Sequence, residues 1–100
     1  MLEIKKKADG TKLTMLLAGR VDSETSYMVD DEVAALPEDV TELVFDMKGL
    51  DYVSSSGLRA LLTAAKKMDD RGGVCIMANV PELIMETFEM TGLLPILHIA

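Results

Sequence analysis

The 100-residue chain carries 17 acidic and 10 basic side chains, and 49% of its residues are apolar. The net charge of −7 opposes contact with phosphate backbones and anionic lipids, which argues against direct binding to nucleic acids. No stretch approaches the roughly 18 apolar residues that span a bilayer, so we expect no membrane insertion. The one basic run, residues 5–7, suits a solvated edge strand.

Length and cysteine content set the broad class of the protein. A chain of this size normally builds one hydrophobic core, so we expect a single domain over residues 1–100. Cys75 is the only cysteine and lies within an apolar run, so no internal disulfide can form and a metal cluster is not expected. The sequence therefore predicts a cytoplasmic protein that needs no metal and no cofactor.

The first third of the chain predicts a hairpin followed by a helix. Apolar and polar residues alternate on either side of Asp9-Gly10, a pair that suits a tight turn between antiparallel strands. Either Asp22 or Ser23 can cap the helix that follows, and Pro37 ends it. The apolar positions of that helix recur at helical spacing: Val29, Val33 and Leu36.

Two short apolar runs, residues 43–45 and 74–78, have the branched composition of strands that are covered on both faces of a sheet. A helix that ends at Gly72-Gly73 lies between them, and this order predicts a right-handed crossover between parallel strands. The apolar residues of that helix fall on one stripe and its charged residues point away: Leu58, Leu61, Leu62, Ala65 and Met68 against Arg59, Lys66, Lys67, Asp69 and Asp70.

The last third of the chain predicts another helix and a short strand. Pro81 suits the first helical turn, Gly92 suits the C-terminal cap, and residues 96–99 have the pattern of a final strand. The expected apolar face of this helix consists of Leu83, Ile84 and Phe88. Together the elements predict an α/β fold in which a mixed sheet of about five strands is covered by about three helices.

Three consecutive serines, Ser54, Ser55 and Ser56, directly precede the long amphipathic helix. Sites in such folds gather where the carboxyl ends of strands meet helix N-termini, because unpaired amides and the helix dipole converge there. One of the serines must cap the helix, which is a common structural role. Gly57 leaves the backbone open to close approach by a partner or a phosphate, which favours a functional role as well.

The segment Tyr52-Val53-Ser54-Ser55-Ser56-Gly57-Leu58-Arg59 resembles the aspartate-serine-serine-glycine-leucine loop of the STAS family. Three further segments resemble that family's central strand, closing helix and turn into the first helix: Phe45-Asp46, Met90-Thr91-Gly92-Leu93 and Gly19-Arg20-Val21-Asp22. The resemblance extends over essentially the entire chain without insertions. It implies the STAS-like fold.

In the anti-sigma-factor antagonists of this family, a partner that is both serine kinase and anti-sigma factor phosphorylates the serine before the glycine. That position is Ser56. The resemblance implies that the unmodified protein captures the anti-sigma factor, that phosphorylation ends the capture and that a protein phosphatase restores it. It also implies that the chain is not an enzyme and that its partner-binding residues are Asp22, Ser54, Ser55, Ser56, Gly57, Leu58 and Arg59.

One position departs from the family pattern, since Ser54 stands where the antagonists usually carry an aspartate. The loss of this negative charge either weakens recognition by the kinase or marks a member that is not phosphorylated. Two functions therefore remain open. The first is an antagonist regulated at Ser56, and the second is a constitutive adaptor that docks on a membrane transporter or a larger signalling complex.

Overall fold

A five-stranded mixed sheet and three helices account for most of the chain in the computed structural model, which describes residues 1–100. The strands lie in chain order, with β1 antiparallel to β2 and all other neighbours parallel. This confirms the predicted fold class. The elements are β1 Leu2–Asp9, β2 Lys12–Val21, α1 Ser26–Ala34, β3 Glu42–Val53, α2 Ser55–Asp70, β4 Val74–Ala78, α3 Glu82–Met90 and β5 His98–Ile99.

The N-terminal hairpin forms as its alternating pattern predicts. Strands β1 and β2 pair from Leu2 opposite Gly19 to Asp9 opposite Lys12, which leaves a two-residue turn. Gly10 occupies that turn with φ of +61°, a conformation that glycine adopts without steric cost. Because β1 pairs only with β2, it is an edge strand, and the side chains of its three consecutive lysines are exposed.

All three helices pack on one face of the sheet. Each helix connects neighbouring parallel strands, and successive right-handed crossovers in one direction bring their helices to the same side. On β3, Leu43 and Phe45 belong to the resulting apolar core, whereas Val44 points away from it. The opposite face carries no helix. The prediction of strands covered on both faces still agrees with side-chain burial on β3, where Leu43, Val44 and Phe45 are all buried, whereas alternate residues of β4 are only half-buried.

Strand β3 runs eight residues beyond the predicted segment 43–45. Two extra residues on β3, relative to its neighbour β2, shift the pairing after Asp46 and again after Leu50. The buried side chains beyond Phe45 are consequently Met47, Leu50 and Val53, three residues apart instead of two. This irregular spacing conceals the strand from a search for alternation.

Two basic side chains near the end of α2 hold the connection between α1 and β3. The Lys67 ammonium donates to the carbonyl oxygen of Val33 at 2.8 Å. The Arg71 guanidinium donates to the carbonyl oxygens of Pro37 and Val40 at 2.9 and 3.0 Å. Carbonyl groups at and beyond a helix end lack partners within the helix, so these contacts satisfy them. Lys67 was expected to point into solvent, and the structure corrects that expectation.

Helix α3 buries only part of its predicted apolar face. Ile84 and Phe88, four residues apart, lie in the core, whereas Leu83 is one residue out of phase and 70% exposed. Gly92 follows the helix with φ of +75°, as expected for a C-terminal cap. The final strand is shorter than predicted, since β5 contains only two residues and Ile96 lies exposed before it. No helix of the protein has the length and apolar content needed to cross a bilayer.

Replacing Arg71 by methionine tests the contribution of its two hydrogen bonds. Arg71→Met keeps an apolar stem but leaves two carbonyl groups without their charged donor, so we expect the free energy of unfolding to fall by about 1–3 kcal/mol. Lys66→Met is the matched control, since Lys66 is exposed on the same helix, and it should change stability by less than about 0.5 kcal/mol. Urea unfolding measures both. Equal effects of the two substitutions would contradict the assigned role of Arg71.

Because Cys75 is buried, the free energy of unfolding depends on pH in the alkaline range. Burial raises the pKa of its thiol from the usual 9.0 to about 12. Between these values only the unfolded chain loses the proton, so the free energy of unfolding falls as pH rises, by up to about 1.4 kcal/mol per pH unit. Cys75→Ala lacks this titration. The stability advantage of the native sequence over Cys75→Ala should therefore shrink above about pH 9 in urea titrations, and a constant difference would overturn the assignment.

Candidate partner-binding site at the N-terminus of helix α2

Ser54 is the serine that caps α2. Its backbone is extended, with φ of −85° and ψ of 178°, and its hydroxyl accepts a hydrogen bond from the Gly57 amide at 3.2 Å. The Ser54 amide in turn donates to the carbonyl oxygen of Val21 on β2 at 2.8 Å. The capping residue is therefore fixed from both sides. Because the cap uses Ser54, the hydroxyls of Ser55 and Ser56 are not needed for it.

Ser55 and Ser56 occupy the first two positions of α2. The side chain of Ser55 is exposed, and Ser56 is half-buried. Amides in the first turn of a helix lack partners within the helix, and the helix dipole favours negative charge there. Ser56 thus combines partial exposure with a local field that stabilises an anion.

Gly57 serves packing inside the protein. A side-chain carbon at this position would lie 2.6 Å from the carbonyl oxygen of Val21 and 2.9 Å from side-chain carbons of Val21 and Val53. Only glycine lets the first turn of α2 approach the ends of β2 and β3 so closely. The interpretation that Gly57 leaves the backbone open to a partner is not supported, because Gly57 is buried. Leu58 is buried as well and belongs to the core.

Asp22 lies beside the serine segment because of strand register. Val21 of β2 pairs with Val53 of β3, so Asp22 and Ser54 leave the sheet from neighbouring positions. The Asp22 carboxylate accepts hydrogen bonds from the amides of Glu24 at 3.0 Å and Thr25 at 3.1 Å. These bonds, with that of Glu24 contributing most, hold the pKa of Asp22 below its usual value, although partial desolvation opposes the shift.

The start of α1 differs from the expected position. Asp22 closes a turn before the helix, and α1 begins at Ser26 after an N-cap residue, Thr25, whose side chain makes no capping bond. The Thr25 hydroxyl instead donates to the carbonyl oxygen of Arg20 at 2.8 Å. The Asp22–Thr25 turn is thus held by its own hydrogen bonds. Neither Asp22 nor Ser23 caps α1 itself.

Arg20 and Tyr52 extend the site beyond the residues that sequence reasoning selected. They pair across β2 and β3, and the Arg20 guanidinium lies 4.5 Å from the centre of the Tyr52 ring. The Arg20 Nε atom is also 3.6 Å from an Asp22 carboxylate oxygen. Both side chains are exposed. The sequence could have indicated these two residues, because both lie at the carboxyl ends of the strands that lead into the site.

The site therefore presents a mixed surface to a partner. Its exposed or half-exposed side chains are a carboxylate, two guanidinium groups, an aromatic ring and two serine hydroxyls: Asp22, Arg20, Arg59, Tyr52, Ser55 and Ser56. Asp46, upstream on β3, accepts a hydrogen bond from the Lys48 amide at 3.1 Å and so has a structural role. His98 lies exposed in β5. No group of three or more acidic, histidine or cysteine side chains comes together to hold a metal ion.

Comparison with protein families and individual proteins identifies relatives of this chain. The family model of the STAS domain matches residues 3–100. The putative anti-sigma factor antagonist BtrV of Bordetella bronchiseptica is 34% identical over 95 residues, which are 94% of this chain and 81% of BtrV. The anti-sigma-B factor antagonist of Bacillus subtilis is 24% identical over 94 residues, which cover 94% of this chain and 86% of that protein.

A solved structure supports the same fold. The anti-sigma factor antagonist SpoIIAA of Bacillus, in its unphosphorylated form, superimposes with a TM-score of 0.81 at 19% identity, over 98% of this chain and 88% of SpoIIAA. SpoIIAA has also been solved in a phosphorylated form. The family model over residues 3–100 and the 34% identity to BtrV lead to one assignment: this chain belongs to the STAS domain family, of the anti-sigma factor antagonist type.

Proposed function

We propose that this protein acts by partner switching, and that Ser56 is the switch. In its unmodified form it binds an anti-sigma factor with serine kinase activity. Phosphorylation of Ser56 by that partner ends the binding, and a protein phosphatase restores it. Sigma factors act on transcription in the cytoplasm, so we place the cycle there. The chain supplies a hydroxyl group and a docking surface, and the chemistry belongs to its partners.

The observation that carries this proposal is the division of roles among the three serines. Ser54 closes the helix cap, so the Ser56 hydroxyl is available to a kinase without loss of that bond. Ser56 is half-exposed in the first turn of α2. A modification of Ser56 therefore changes the surface of the protein and leaves its cap intact.

The absence of the family aspartate is compatible with this role. Serine and aspartate both accept hydrogen bonds from first-turn amides, so Ser54 keeps the cap that an aspartate would form. Ser54 differs in carrying no charge. A phosphate on Ser56 would then lie close to one negative charge fewer, which makes the phosphorylated state easier to accommodate in this chain.

A phosphate on Ser56 would affect the folding of the domain and the docking of a partner differently. A phosphate adds about −1.5 to −2 charge and three acceptor oxygens, which the positive end of the α2 dipole stabilises. At a protein interface the same dianion must lose water, which costs free energy unless the partner supplies compensating donors. Phosphorylation is therefore expected to weaken docking and to keep the domain folded.

The proposed interface centres on Ser56 and its exposed neighbours. Asp22, Ser55 and Arg59 provide polar contacts around it, and Ser54 shapes the helix start. Gly57 and Leu58 are buried, so we assign them a positioning role beneath the surface. Substitutions of these two residues would act on the fold of the site, whereas substitutions of Asp22, Ser55 and Arg59 would act on contact.

Phosphorylation in the presence of the partner tests the switch directly. The purified protein is incubated with ATP and a native lysate of its host, and intact mass is measured. We expect one phosphate adduct on the native sequence and on Ser55→Ala, and none on Ser56→Ala, because only Ser56 has the predicted position. An unmodified native protein that still co-purifies with a transporter subunit would contradict the switch and favour the constitutive adaptor.

A charge at position 56 should mimic the released state. We expect Ser56→Asp to weaken binding to the purified anti-sigma factor at least about tenfold, or roughly 1.4 kcal/mol, because the carboxylate must be desolvated on docking. Thr11→Asp is the matched control, since Thr11 is exposed in the β1–β2 turn, at the opposite end of β2 from the site, and should leave affinity unchanged. Calorimetry measures affinity, and circular dichroism checks the fold. Unchanged affinity of Ser56→Asp would remove Ser56 from the interface.

A further inference from the structure

Helix α3 carries a second apolar stripe that faces away from the core. Leu83 and Met90 are seven residues apart, so they lie on the same side of the helix, two turns from each other. Leu83 is 70% exposed and Met90 is 88% exposed. The core contacts of α3 come from a different stripe that contains Ile84 and Phe88. The outer stripe therefore contributes nothing to the core.

The outer stripe forms one wall of a groove. Leu83, Thr87 and Met90 lie along α3, and the opposite wall is the end of β3, residues 51–53. The groove has a volume of about 280 Å³, and we call it the Tyr52–Met90 groove. Tyr52, 43% exposed, adds an aromatic side chain to it. Three large apolar side chains thus meet at one surface feature.

The rim of this groove is acidic. Asp51 and Glu86 line it, and Glu82 and Glu89 lie on the same helix. Helix α3 contains no lysine or arginine between Glu82 and Met90. Arg20, which lies over the Tyr52 ring, is itself paired with Asp22 at 3.6 Å. A segment that enters the groove therefore meets apolar walls and uncompensated negative charge.

We infer that the Tyr52–Met90 groove binds a short segment of the anti-sigma factor partner in which apolar side chains are flanked by lysine or arginine. The inference rests on the proposed function, and it adds the chemistry of the partner. Apolar residues of the segment bury Leu83 and Met90, and basic residues pair with Asp51 and Glu86. The flexible Met90 side chain adapts to the shape of the segment.

The position of the groove connects it to the switch. Tyr52 lies two residues before the capping serine Ser54, so one partner surface can contact both features. The stripe from Leu83 to Met90 is about 10 Å long, which matches two turns of a partner helix. Phosphorylation of Ser56 acts at one end of this combined surface. The groove is then an anchor that the switch does not alter chemically.

A pair of peptides tests the groove without any kinase. One is a roughly 14-residue amphipathic helix with leucines at helical spacing flanked by lysines, and the other has glutamates in place of those lysines. We expect the lysine peptide to bind the native protein about fivefold more tightly at low salt, because the two rim carboxylates attract its lysines and repel the glutamates of the other peptide. The difference should vanish near roughly 0.5 M salt, because the Debye length is then only a few Å and the charges are screened from each other. Fluorescence anisotropy measures both affinities.

Variants locate the binding. Leu83→Ser with Met90→Ser should abolish binding of the lysine peptide, and the fold should persist because both side chains are exposed. Glu86→Lys should reduce or reverse the preference between the peptides. In methyl NMR spectra the Met90 signal should shift, whereas those of the core residues Met15 and Met68 should not. Equal affinities, absence of binding, or binding that survives the serine variants would each overturn the inference.

The peptides also separate this inference from the proposed function. The peptide carries no kinase, so its binding is measured independently of any phosphorylation of Ser56. If the lysine peptide does not bind while Ser56 is phosphorylated in the mass experiment, the inferred role of the groove is overturned and the proposed switch at Ser56 is retained. If the peptide binds and Ser56 is never phosphorylated, the groove remains as a docking site and the switch is overturned.

Discussion

The close approach of α2 to the ends of β2 and β3 is the constraint on which the site depends. Gly57 permits it, because any side chain there would collide with Val21 and Val53. The pairing of those two valines also fixes where the chain leaves each strand. As a result, the turn at Asp22 and the start of α2 become neighbours although they are far apart in sequence. The backbone, more than any single side chain, assembles this surface.

The same constraint gives adjacent residues different roles, because some of them hold the fold and others are exposed to a partner. Ser54 holds the helix start through its hydroxyl, and its amide bonds to β2. Leu58 and Gly57 face inward, so the outward positions are free to meet another protein. A switch needs such a separation, since a modification that also broke the cap would trade binding for stability. In the proposed function, the group to be modified, on Ser56, and the capping group, on Ser54, belong to different residues.

Much of the fold was predictable because local patterns agree with the tertiary arrangement. The hairpin turn at Gly10, the long amphipathic α2 and the cap at Gly92 all form where the sequence indicated. The extent of β3 was not predictable, because two extra residues disturb its alternation and place Leu50 out of the expected phase. Likewise, adjacent apolar residues cannot show which of them faces inward, and Leu83 proved to be the outward one. At the site, the sequence identified the serine segment, and only the coordinates assigned the cap to Ser54 and added Arg20 and Tyr52.

The two edges of the sheet have a consequence for how the protein can associate. One edge, β1, presents three consecutive lysines, of which Lys6 is paired with Glu32 at 2.9 Å. The other edge, β5, is only two residues long. Charged and very short edge strands resist the addition of further strands. The domain is thereby protected against polymerising through its backbone, even when it is abundant, and its encounters with other proteins are directed to its side-chain surfaces.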